Sequence, residues 1–510
     1  MRPEPWLEGV HDADSMRAAD RWAIEERGIP SLQLMEAAGA AVARAAAELA
    51  QRAGSASAPA RVVCGKGNNS GDGLVATRAL AETGYEAEAL LLWPPGELSD
   101  DAKSNLERIQ AHARHVEPDR IAAALAGSGV VVDAIFGTGF SGAPRAPADA
   151  AVEAINSCGA PVVAADIASG VDAATGEVAG VAVEADLTVS FHAAKLGHWI
   201  APGKWHTGEL RVAEIGIPPD APAEPAAGLI ESSVLELAPR RGPRSTKFSS
   251  GQVLVVGGSR GLTGAVCMAA AAAVRAGAGY ATVAVPAALE QIFEVKLTEV
   301  MSRGFEGSGD GLGPADAAGI LEAAERAAAV VLGPGLGRSD DAFALARELV
   351  ARVEAPLLVD ADGLNALAGR LDDVARRDRP TVLTPHAGEL ARLLERDSDE
   401  VSDHRLAAAR EAAAASGAIV VLKGDDTLVV ESDRVAVNPL SAPPLATAGT
   451  GDVLSGTIGA LLARGMEPFE AACGGVLAHA RAGLHAAGEV GAESVIATDV
   501  IEALPAGLSP

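Results

Sequence analysis

The sequence predicts an α/β protein with two domains, each built on a mostly parallel sheet that helices cover on both faces. The chain has 510 residues, which is too long for one ordinary hydrophobic core. Short β-rich runs alternate with helical segments in both halves of the chain. Between the halves, residues 218–225 are rich in Pro and Ala, a composition that suits a connection and not a core.

Composition and charge limit the possible functions. Hydrophobic residues make up 49% of the chain but aromatic residues only 3%, so the cores must consist mainly of Ala, Val, Leu and Ile. The formal net charge of −27 argues against nucleic acid or an anionic membrane surface as a partner. The four cysteines lack metal-ligand spacing and indicate a reducing compartment. Without a signal-like or membrane-spanning segment, we expect a soluble, cytoplasmic protein.

The N-terminal half begins with two helices. Asp14 and Ser15 are the N-cap candidates of the first helix, which runs through Trp22, and the second helix covers residues 32–53. Five strands are predicted after these helices, at residues 61–64, 87–92, 130–135, 162–166 and 187–191. This alternation predicts a Rossmann-like three-layer domain over residues 1–220, followed by a linker and lead-in over residues 221–250.

The alternation of strands and helices restarts in the C-terminal half. A helix is predicted over residues 264–276, and a long helix is predicted from Asp452. Strands are predicted at residues 253–256, 281–285, 330–332, 356–359, 381–384 and 419–422. No motif repeats between the halves, so residues 251–510 are predicted to form a second, different α/β domain.

A glycine-rich loop follows the first predicted strand, where residues 64–73 read CGKGNNSGDG. The glycines let the backbone turn tightly and approach a ligand, while Asn68, Asn69 and Asp72 add polar groups at a helix start. The structural alternative is a glycine-rich turn closed by the Asn side chains.

Polar residues also follow two later strands. Because ligands of open α/β sheets bind outside the carboxyl ends of the strands, we expect Asp133, Asp166 and Ser169 to meet Asn69 at one rim. A single full carboxylate with amide, hydroxyl and backbone oxygens suits a monovalent cation. A helix-capping role for Asp133 is the alternative.

In the second half, residues 445–456 read LATAGTGDVLSG. Gly449, Thr450 and Gly451 can present backbone N–H groups at a helix start, where anions bind. Asp452 adds a carboxylate, which is unfavourable beside an anion unless it takes a proton during the reaction. The motif therefore indicates phosphoryl transfer to a hydroxyl, with an ordinary N-cap after a glycine-rich loop as the alternative.

Other strand ends direct loops to the same rim. Lys423 is a candidate phosphate cation, or else a surface lysine at a strand end. His386 is a candidate site residue, or else a hydrogen-bonded surface or core histidine. Asp360 and Asp362 could orient a substrate or cap the following helix.

The motifs of the first half, in order across residues 10–218, are LMEAAG, GNNSGDGLVATRAL, DAIFGTGFSGAP, ADIASGVDAATG, TVSFHAAKLG and GELRVAEIGIP. Together they resemble the NAD(P)H-hydrate epimerase domain. The resemblance implies that Asn69, Asp133 and Ser169 hold K⁺. It implies Asp166 as the acid/base that helps a ring hydroxyl to leave and return. The implied contacts with the hydrated nucleotide are Asn68, Asn69, Ser70, Gly71, Asp72, Gly137, Thr138, Gly139, Phe140, Ser141, Gly142, Ala143 and Asp166. Ser70 stands where the family usually has glycine, a change that removes no ligand group.

The motifs of the second half, in order across residues 250–485, are VVGGSRGLTGA, LGPGLG, VDADGLN, LTPHAGE, LKG and ATAGTGDVLSG. They resemble the ADP-dependent NAD(P)H-hydrate dehydratase branch of the ribokinase-like superfamily. The resemblance implies ADP with Mg²⁺, and Asp452 as general base. The implied contacts with the hydrate are Ala265, Gly335, His386 and Asp452. The implied contacts with ADP are Lys423, Gly424, Asp425, Asp426, Thr427, Gly449, Thr450 and Gly451.

Together the two resemblances imply metabolite repair of hydrated NADH and NADPH. The R and S hydrates would be epimerised, and the S hydrate would be dehydrated with ADP to give NAD(P)H, AMP and phosphate. The expected partners are these small molecules and further copies of the chain, with neither nucleic acid nor membrane. The alternative is a small-molecule kinase for a vitamin precursor, of the hydroxymethylpyrimidine or hydroxyethylthiazole type, with a non-catalytic N-terminal nucleotide-binding module. The presence of Asn69, Asp133 and Asp166 together argues against a non-catalytic module.

Overall fold

The computed structural model describes residues 4–307 and 309–510, which fold into two compact units. One unit comprises residues 9–227, and the other comprises residues 4–8 and 228–510. The first three residues of the expected N-terminal domain lie outside the described part of the chain. Strand β1 (Leu7–Val10) lies at the edge of the second unit's sheet. Within the described residues, no helix has both the length and the apolar character needed to cross a membrane.

The N-terminal unit is built on a seven-stranded parallel sheet. Its strands are β2 (Ala60–Cys64), β3 (Ala87–Leu91), β4 (Ala113–His115), β5 (Val130–Ala134), β6 (Val162–Ala165), β7 (Leu187–Phe191) and β8 (Glu209–Ala213). They lie in the order β4-β3-β2-β5-β6-β7-β8. Val62 and Val132 belong to one hydrophobic cluster, whereas Val63 and Val131 belong to another. Since neighbouring residues of a strand face opposite sides, the sheet is buried on both faces.

The helices of this unit are α1 (Ala13–Glu25), α2 (Ser31–Arg52), α3 (Asn68–Glu82), α4 (Asp100–Ile109), α5 (Ile121–Leu125), α6 (Ala148–Ser157) and α7 (Gly203–Thr207). The N-cap of α1 is Asp12, so the choice of Asp14 or Ser15 was wrong. The Asp12 carboxylate accepts a hydrogen bond from the Ser15 backbone N–H at 2.8 Å, and the Ser15 hydroxyl accepts one from the Asp12 N–H at 3.0 Å. This capping box starts the helix at Ala13.

The C-terminal unit contains most of an eleven-stranded sheet. Its further strands are β9 (Ala227–Ile230), β10 (Gln252–Val256), β11 (Tyr280–Pro286), β12 (Met301–Phe305), β13 (Ala329–Leu332), β14 (Leu357–Val359), β15 (Thr381–Leu383), β16 (Ile419–Leu422), β17 (Leu428–Glu431) and β18 (Arg434–Val437). The order is β1-β9-β18-β17-β16-β15-β14-β13-β10-β11-β12. Strands β10 to β16 pair in parallel, and the hairpin β17–β18 continues the sheet with antiparallel pairs.

The helices of this unit are α8 (Thr263–Arg275), α9 (Glu290–Lys296), α10 (Ala317–Ala324), α11 (Asp340–Arg352), α12 (Asp362–Ala366), α13 (Leu371–Ala375), α14 (Ala387–Leu394), α15 (Ser398–Asp403), α16 (Arg405–Ser416), α17 (Thr450–Ala463), α18 (Pro468–Val490) and α19 (Ala497–Gly507). The predicted fold class, two α/β units with mostly parallel sheets, is confirmed. The linker and lead-in expected over residues 221–250 is not wholly a connection, because residues 227–230 form strand β9, which pairs with β18.

Candidate active sites

The N-terminal unit has a cavity of about 170 Å³ at the carboxyl ends of its strands. Four carboxyl groups border it, those of Asp20, Asp72, Asp101 and Asp166. None of the described residues that line it is a lysine or an arginine. The cavity therefore suits an uncharged or cationic group better than a phosphate.

The expected cation ligands lie together beside this cavity. The Asp133 carboxylate, fully buried in β5, accepts hydrogen bonds from the Ser169 hydroxyl at 2.7 Å, the Ser169 N–H at 2.8 Å and the Ile135 N–H at 3.1 Å. The Asn69 amide group donates to the Phe136 carbonyl at 2.8 Å. Phe136 in turn donates its N–H to the Ser169 hydroxyl at 2.9 Å, so one loop links all three side chains.

Two features of this cluster fit a bound monovalent cation. The Asn69 Oδ1 atom is buried and has no hydrogen-bond partner. Burial raises the pKa of Asp133 to about 6, against the opposing effect of its hydrogen bonds with Ser169 and Ile135. A cation among these oxygens would satisfy Asn69 and compensate the buried charge. No cluster of three or more His, Cys, Asp or Glu side chains that could hold a metal occurs within the described residues.

Asp166 follows β6 directly and has a φ of 69°, in the left-handed region that Asp tolerates better than most residues. Its Oδ1 atom accepts a hydrogen bond from the Lys195 ammonium at 2.5 Å. Its Oδ2 atom accepts hydrogen bonds from the Thr138 N–H at 3.0 Å and the Thr138 hydroxyl at 2.7 Å. Burial acts to raise the pKa of Asp166, but Lys195 and Thr138 outweigh it and lower the pKa to about 2. Asp166 is therefore ionised at neutral pH.

Lys195 is a site residue that the sequence analysis missed. It is fully buried, and its ammonium group donates to Asp166, to the Ser190 hydroxyl at 2.8 Å and to the Phe191 carbonyl at 2.9 Å. The His198 ring bridges the backbones of Lys195 and Asp166. One ring nitrogen accepts a hydrogen bond from the Lys195 backbone N–H at 3.0 Å, and the other lies 3.0 Å from the Asp166 carbonyl oxygen. The sequence feature that could have identified Lys195 is a lone lysine among mostly small and apolar residues after a buried strand, in the stretch SFHAAKLG.

The expected substrate contacts of this unit divide into two groups. Asn68, Asp72, Thr138 and Asp166 line the cavity itself. Other members of the set shape the loops around it, and Phe140 stacks on the ring of Phe136 with centroids 4.4 Å apart. The Ser70 hydroxyl is turned to the backbone, where it donates to the Gly67 carbonyl at 2.8 Å.

Gly71 lies in the first turns of α3 and packs against Met35. A Cβ atom at Gly71 would lie 2.4 Å from the Met35 sulfur, so a larger residue there would force the Met35 side chain to move. Gly137 is also tightly placed, since a Cβ there would lie 3.2 Å from the Asp166 carboxylate. The remaining expected contacts, Gly139, Ser141, Gly142 and Ala143, follow Gly137 in the loop after β5.

The C-terminal unit has a larger cavity, of about 300 Å³. Six of the eight residues expected to contact ADP line it, namely Lys423, Gly424, Asp425, Thr427, Thr450 and Gly451. Apolar residues such as Leu445, Leu454 and Val476 form much of the remaining wall. The cavity thus combines a lysine and a helix start with an apolar wall, which suits an anionic ligand with a flat apolar part.

Gly449 and Asp452 stand at the start of α17, as expected from the sequence. Gly449 has a φ of 92° at the N-cap, and a Cβ there would lie 2.5 Å from the Met268 sulfur. The positive φ favours glycine at this position, and a larger residue would also displace the Met268 side chain. Asp452 lies in the first helical turn, and burial raises its pKa to about 7, with Asp360 raising it further and Lys423 opposing the shift. Asp452 can therefore accept a proton near neutral pH.

Lys423 lines the cavity and interacts electrostatically with Asp452, which is not itself among the lining residues. Its ammonium group lies 2.9 Å from an Asp360 oxygen and 3.7 Å from a Glu389 oxygen. The other Asp360 oxygen accepts a hydrogen bond from the Ser455 hydroxyl at 2.7 Å, from within α17. Burial acts to lower the pKa of Lys423, but Asp360 and Glu389 outweigh it and raise the pKa. The lysine is thus a fixed positive charge beside the helix start.

Asp426 does not line the cavity, unlike its neighbours in the loop after β16. It is 1% exposed, and its carboxylate lies 2.7 Å from the guanidinium of Arg405, which is itself buried. A second guanidinium nitrogen donates to the Asp426 carboxylate at 2.9 Å. This pairing indicates that Asp426 holds the loop in place.

Replacing Asp426 with Ala should destabilise the C-terminal unit by about 3–5 kcal/mol, because it leaves the Arg405 charge buried and unpaired. The midpoint of thermal unfolding should fall, and the Asp426→Leu/Arg405→Met double variant should recover most of the loss. An unchanged midpoint combined with a large increase in the KM for ADP would instead make Asp426 a direct ligand of the nucleotide.

The expected hydrate contacts of this unit lie on separate elements. His386 is the N-cap of α14, where its ring nitrogen accepts from the Gly388 N–H at 3.0 Å, and its side chain is 56% exposed. Gly335 has a φ of 60°, and a Cβ there would lie 2.4 Å from the Leu262 carbonyl. Ala265 lies beside it, since that same Cβ would be 3.3 Å from the Ala265 Cβ.

Comparisons with known proteins match both units. The family described as NAD(P)H-hydrate dehydratase matches residues 253–506. The family described as YjeF-related protein N-terminus matches residues 31–197. A bifunctional NAD(P)H-hydrate repair enzyme from Moorella thermoacetica is 39% identical over 507 residues, covering 97% of this chain and 95% of the relative. The chain belongs to the family of bifunctional NAD(P)H-hydrate repair enzymes.

Other repair enzymes of this family align along nearly the whole chain. The relative from Salinibacter ruber is 39% identical, covering 97% of this chain and 95% of its own length. The relative from Thermofilum pendens is 38% identical, covering 98% of this chain and 96% of its own length. The resemblance of both halves to the epimerase and dehydratase domains is thereby confirmed.

Proposed function

We propose that the chain repairs hydrated NADH and NADPH in two steps. The N-terminal unit interconverts the R and S hydrates, and the C-terminal unit dehydrates the S hydrate with ADP, giving NAD(P)H, AMP and phosphate. The observation that carries the proposal is the joint presence of Asp452, with a pKa raised to about 7, and Lys423 beside a cavity at a helix start. The chemistry of such a site is the transfer of phosphate to a hydroxyl.

In the dehydratase step, the ring hydroxyl must become a better leaving group. Asp452 accepts the hydroxyl proton while the hydroxyl oxygen attacks the terminal phosphate of ADP. The N–H groups of residues 449–451 and the start of α17 stabilise the developing charge on that phosphate, and Lys423 adds a fixed positive charge nearby. Transfer of the phosphate releases AMP. The lone pair of the ring nitrogen then expels phosphate as the C–O bond breaks, and transfer of a proton from ring carbon 5 to the released phosphate restores the dihydronicotinamide.

The proposed dehydration step uses two co-reactants, ADP and Mg²⁺. The six cavity residues expected to contact ADP would hold it, with its phosphates toward residues 449–451 and Lys423. Mg²⁺, which binds substrate phosphates more often than an all-protein cage, would neutralise the phosphate charge. Asp452 and Asp362 are two carboxylates near the start of α17 that could face it, and Asp362 is also ion-paired with Arg338 at 3.0 Å.

Dehydration should depend on pH through Asp452. The carboxylate must be ionised to accept the hydroxyl proton, and its pKa is raised to about 7. The kcat/KM for the S hydrate should therefore rise as the pH increases through about 7 and level off above it. The measurement is the rate of NADH formation at saturating ADP across this range. A flat profile would show that another group accepts the proton.

In the epimerase step, the cavity with four carboxyl groups takes the hydrated nicotinamide ring and leaves the diphosphate outside. Loss of the hydroxyl makes the ring positively charged, and the ionised Asp166 stabilises that charge. Lys195 and His198 fix the position of Asp166. The role given to Asp166 thus narrows from acid/base to anionic partner, since it has no proton to give at neutral pH.

Potassium belongs to the epimerase half of the proposal. The oxygens of Asn69, Asp133 and Ser169 would hold K⁺, which would supply positive charge at the rim of the cavity. Asn69→Ala should raise the K⁺ concentration needed for half-maximal epimerisation at least about tenfold, because it removes the one orphaned ligand oxygen. Titrations with K⁺ at constant ionic strength, with Na⁺ as the replacement, measure this. Equal rates in K⁺ and Na⁺ for the unaltered chain would remove the cation from the proposal.

Assembly and location complete the proposal. We propose a homo-oligomer in the cytoplasm. Its mass in solution tests the assembly, and cell fractionation tests the location.

A vitamin-precursor kinase is the alternative function that the phosphate-binding site of the C-terminal unit would support by itself. The relatives that align along nearly the whole chain, however, are named repair enzymes. Incubation with a mixture of hydrate epimers and ADP separates the two functions. Regained NADH absorbance supports repair, whereas a lasting phosphorylated vitamin precursor would support the kinase.

A further inference from the structure

One face of helix α1 borders the cavity of the N-terminal unit. Met16, Asp20 and Ile24 recur at four-residue intervals along this face, and all three line the cavity. Asp20 is the only one of the three with an ionisable side chain, and it is half-buried. No hydrogen bond or ion pair among the described residues engages its carboxyl group. The helix therefore presents an unpartnered carboxyl group to the ligand space.

The proposed epimerisation needs a proton that Asp166 does not hold. Asp166 is paired with Lys195 at 2.5 Å and accepts two further hydrogen bonds from Thr138, so it is ionised at neutral pH. A hydroxyl departs readily as water only when a proton reaches it. The other carboxyl groups that line the cavity, those of Asp20, Asp72 and Asp101, are the acidic groups placed to supply that proton.

We propose, on the basis of the function proposed above, that Asp20 is the group that gives this proton and takes it back. The Asp20 carboxyl protonates the hydroxyl on ring carbon 6 as the C–O bond breaks, and the electron pair of that bond leaves with the water. The lone pair of the ring nitrogen forms the C=N bond. Water then adds to the opposite face of carbon 6, the electron pair returns to nitrogen, and the released proton returns to the Asp20 carboxylate. Only the configuration of carbon 6 changes, so the cycle needs no co-reactant.

The charges around the cavity favour Asp20 over Asp72 for this role. Burial raises the pKa of Asp20 to about 6, with Asp166 raising it further and Lys195 opposing the shift. For Asp72, burial together with Asp166, Asp20 and Asp101 raises the pKa well above its usual range. A group that must both give and accept a proton works best with a pKa near the working pH. Asp72 is also more deeply buried, at 8% exposed, than the half-buried Asp20.

The test compares Asp20→Asn with Asp14→Asn, a control at the exposed start of the same helix. Interconversion of the R and S hydrates is followed by chromatography without ADP, and dehydration of the S hydrate is measured separately with ADP. Asp20→Asn should lower the kcat of interconversion by a factor of about 10² to 10⁴ and leave the KM nearly unchanged. Asp20→Glu should retain part of the rate. Asp14→Asn should behave as the unaltered chain, and dehydration should be unaffected in all three variants.

The pH profile separates a proton carrier from a structural residue. Since the protonated form of Asp20 is required, the kcat/KM of interconversion should fall as the pH rises through about 6, and Asp20→Glu should shift that midpoint. An Asp20→Asn rate within about fivefold of normal would overturn the proposal. So would an Asp72→Asn variant that abolishes the pH dependence while Asp20→Asn keeps it. If the unaltered chain dehydrates the S hydrate but never interconverts the epimers, the proposed epimerase function itself fails, and the role of Asp20 fails with it.

Discussion

Replacing Asp452 with Asn is expected to slow dehydration of the S hydrate by a factor of about 10² to 10⁴. Asn has nearly the same shape but cannot accept the hydroxyl proton. The N–H groups at the start of α17 and the Lys423 ammonium stay in place, so ADP should still bind. The loss should therefore fall on kcat and not on the KM for ADP. The regained absorbance of NADH measures the rate.

The matched control for this variant is Asp433→Asn, in the exposed turn between β17 and β18. Epimer interconversion should continue at the normal rate in both variants, because it takes place in the N-terminal unit. Normal dehydration by Asp452→Asn would refute the general-base role. Loss of interconversion in the same variant would contradict the independence of the two sites.

Replacing Asp166 should confine the enzyme to the S hydrate. Asp166→Asn suits the left-handed backbone at φ 69°, whereas Asp166→Ala adds backbone strain there. Both variants leave Lys195 buried without its carboxylate, and they remove the negative charge that we propose stabilises the ring cation. We expect interconversion to fall by at least about 10²-fold, with dehydration of pure S hydrate unchanged. Chromatographic separation of the epimers measures the exchange, after correction for its spontaneous rate.

The control for this substitution is Asp119→Asn, whose side chain is 78% exposed in the same unit. It should exchange the epimers at the normal rate. Complete and rapid consumption of a mixed-epimer pool by Asp166→Asn would refute the role of Asp166. A loss of dehydration as well would point to general damage to the chain.

The buried strands were predictable from short-range pattern. Residues 130–132 and residues 419–422 are continuous apolar runs, and all of these residues are buried, as a sheet covered on both faces requires. Helix α17 was also predictable, since Gly449 and Asp452 carry its start signals. Each predicted strand agrees with the structure to within one residue at either end.

Elements defined by long-range pairing were not predictable in the same way. Strand β9 is four residues long and follows a stretch rich in Pro and Ala, and it is a strand because it pairs with β1 and β18. The hairpin β17–β18 is also made of four-residue strands. Each of these two strands carries a charged residue, Glu431 or Arg434, and so lacks the fully apolar run of strands such as β16.

Site residues were predictable where a short sequence motif itself carries the chemical groups. They were not predictable where a side chain depends on a partner that is far away in sequence. The expected K⁺ ligands are linked through one loop, and six expected ADP contacts line one cavity. The partner of Asp166, by contrast, is Lys195, 29 residues away, and the partner of Asp426 is Arg405, 21 residues away. Asp20 also gave no sequence signal, because an acidic residue on an amphipathic helix ordinarily faces solvent.

The central claim is that two separate sites perform consecutive steps, and one complementation assay tests it most directly. Asp166→Asn, Asp452→Asn and an equal mixture of both variants are each given mixed R and S hydrates with ADP and K⁺. Asp452→Asn alone should form almost no NADH, and Asp166→Asn alone should convert only the S hydrate before slowing to the spontaneous exchange rate. The mixture should convert the whole pool at a rate near that of the unaltered chain. A mixture that stops where Asp166→Asn stops would contradict the assignment of the two steps to the two sites.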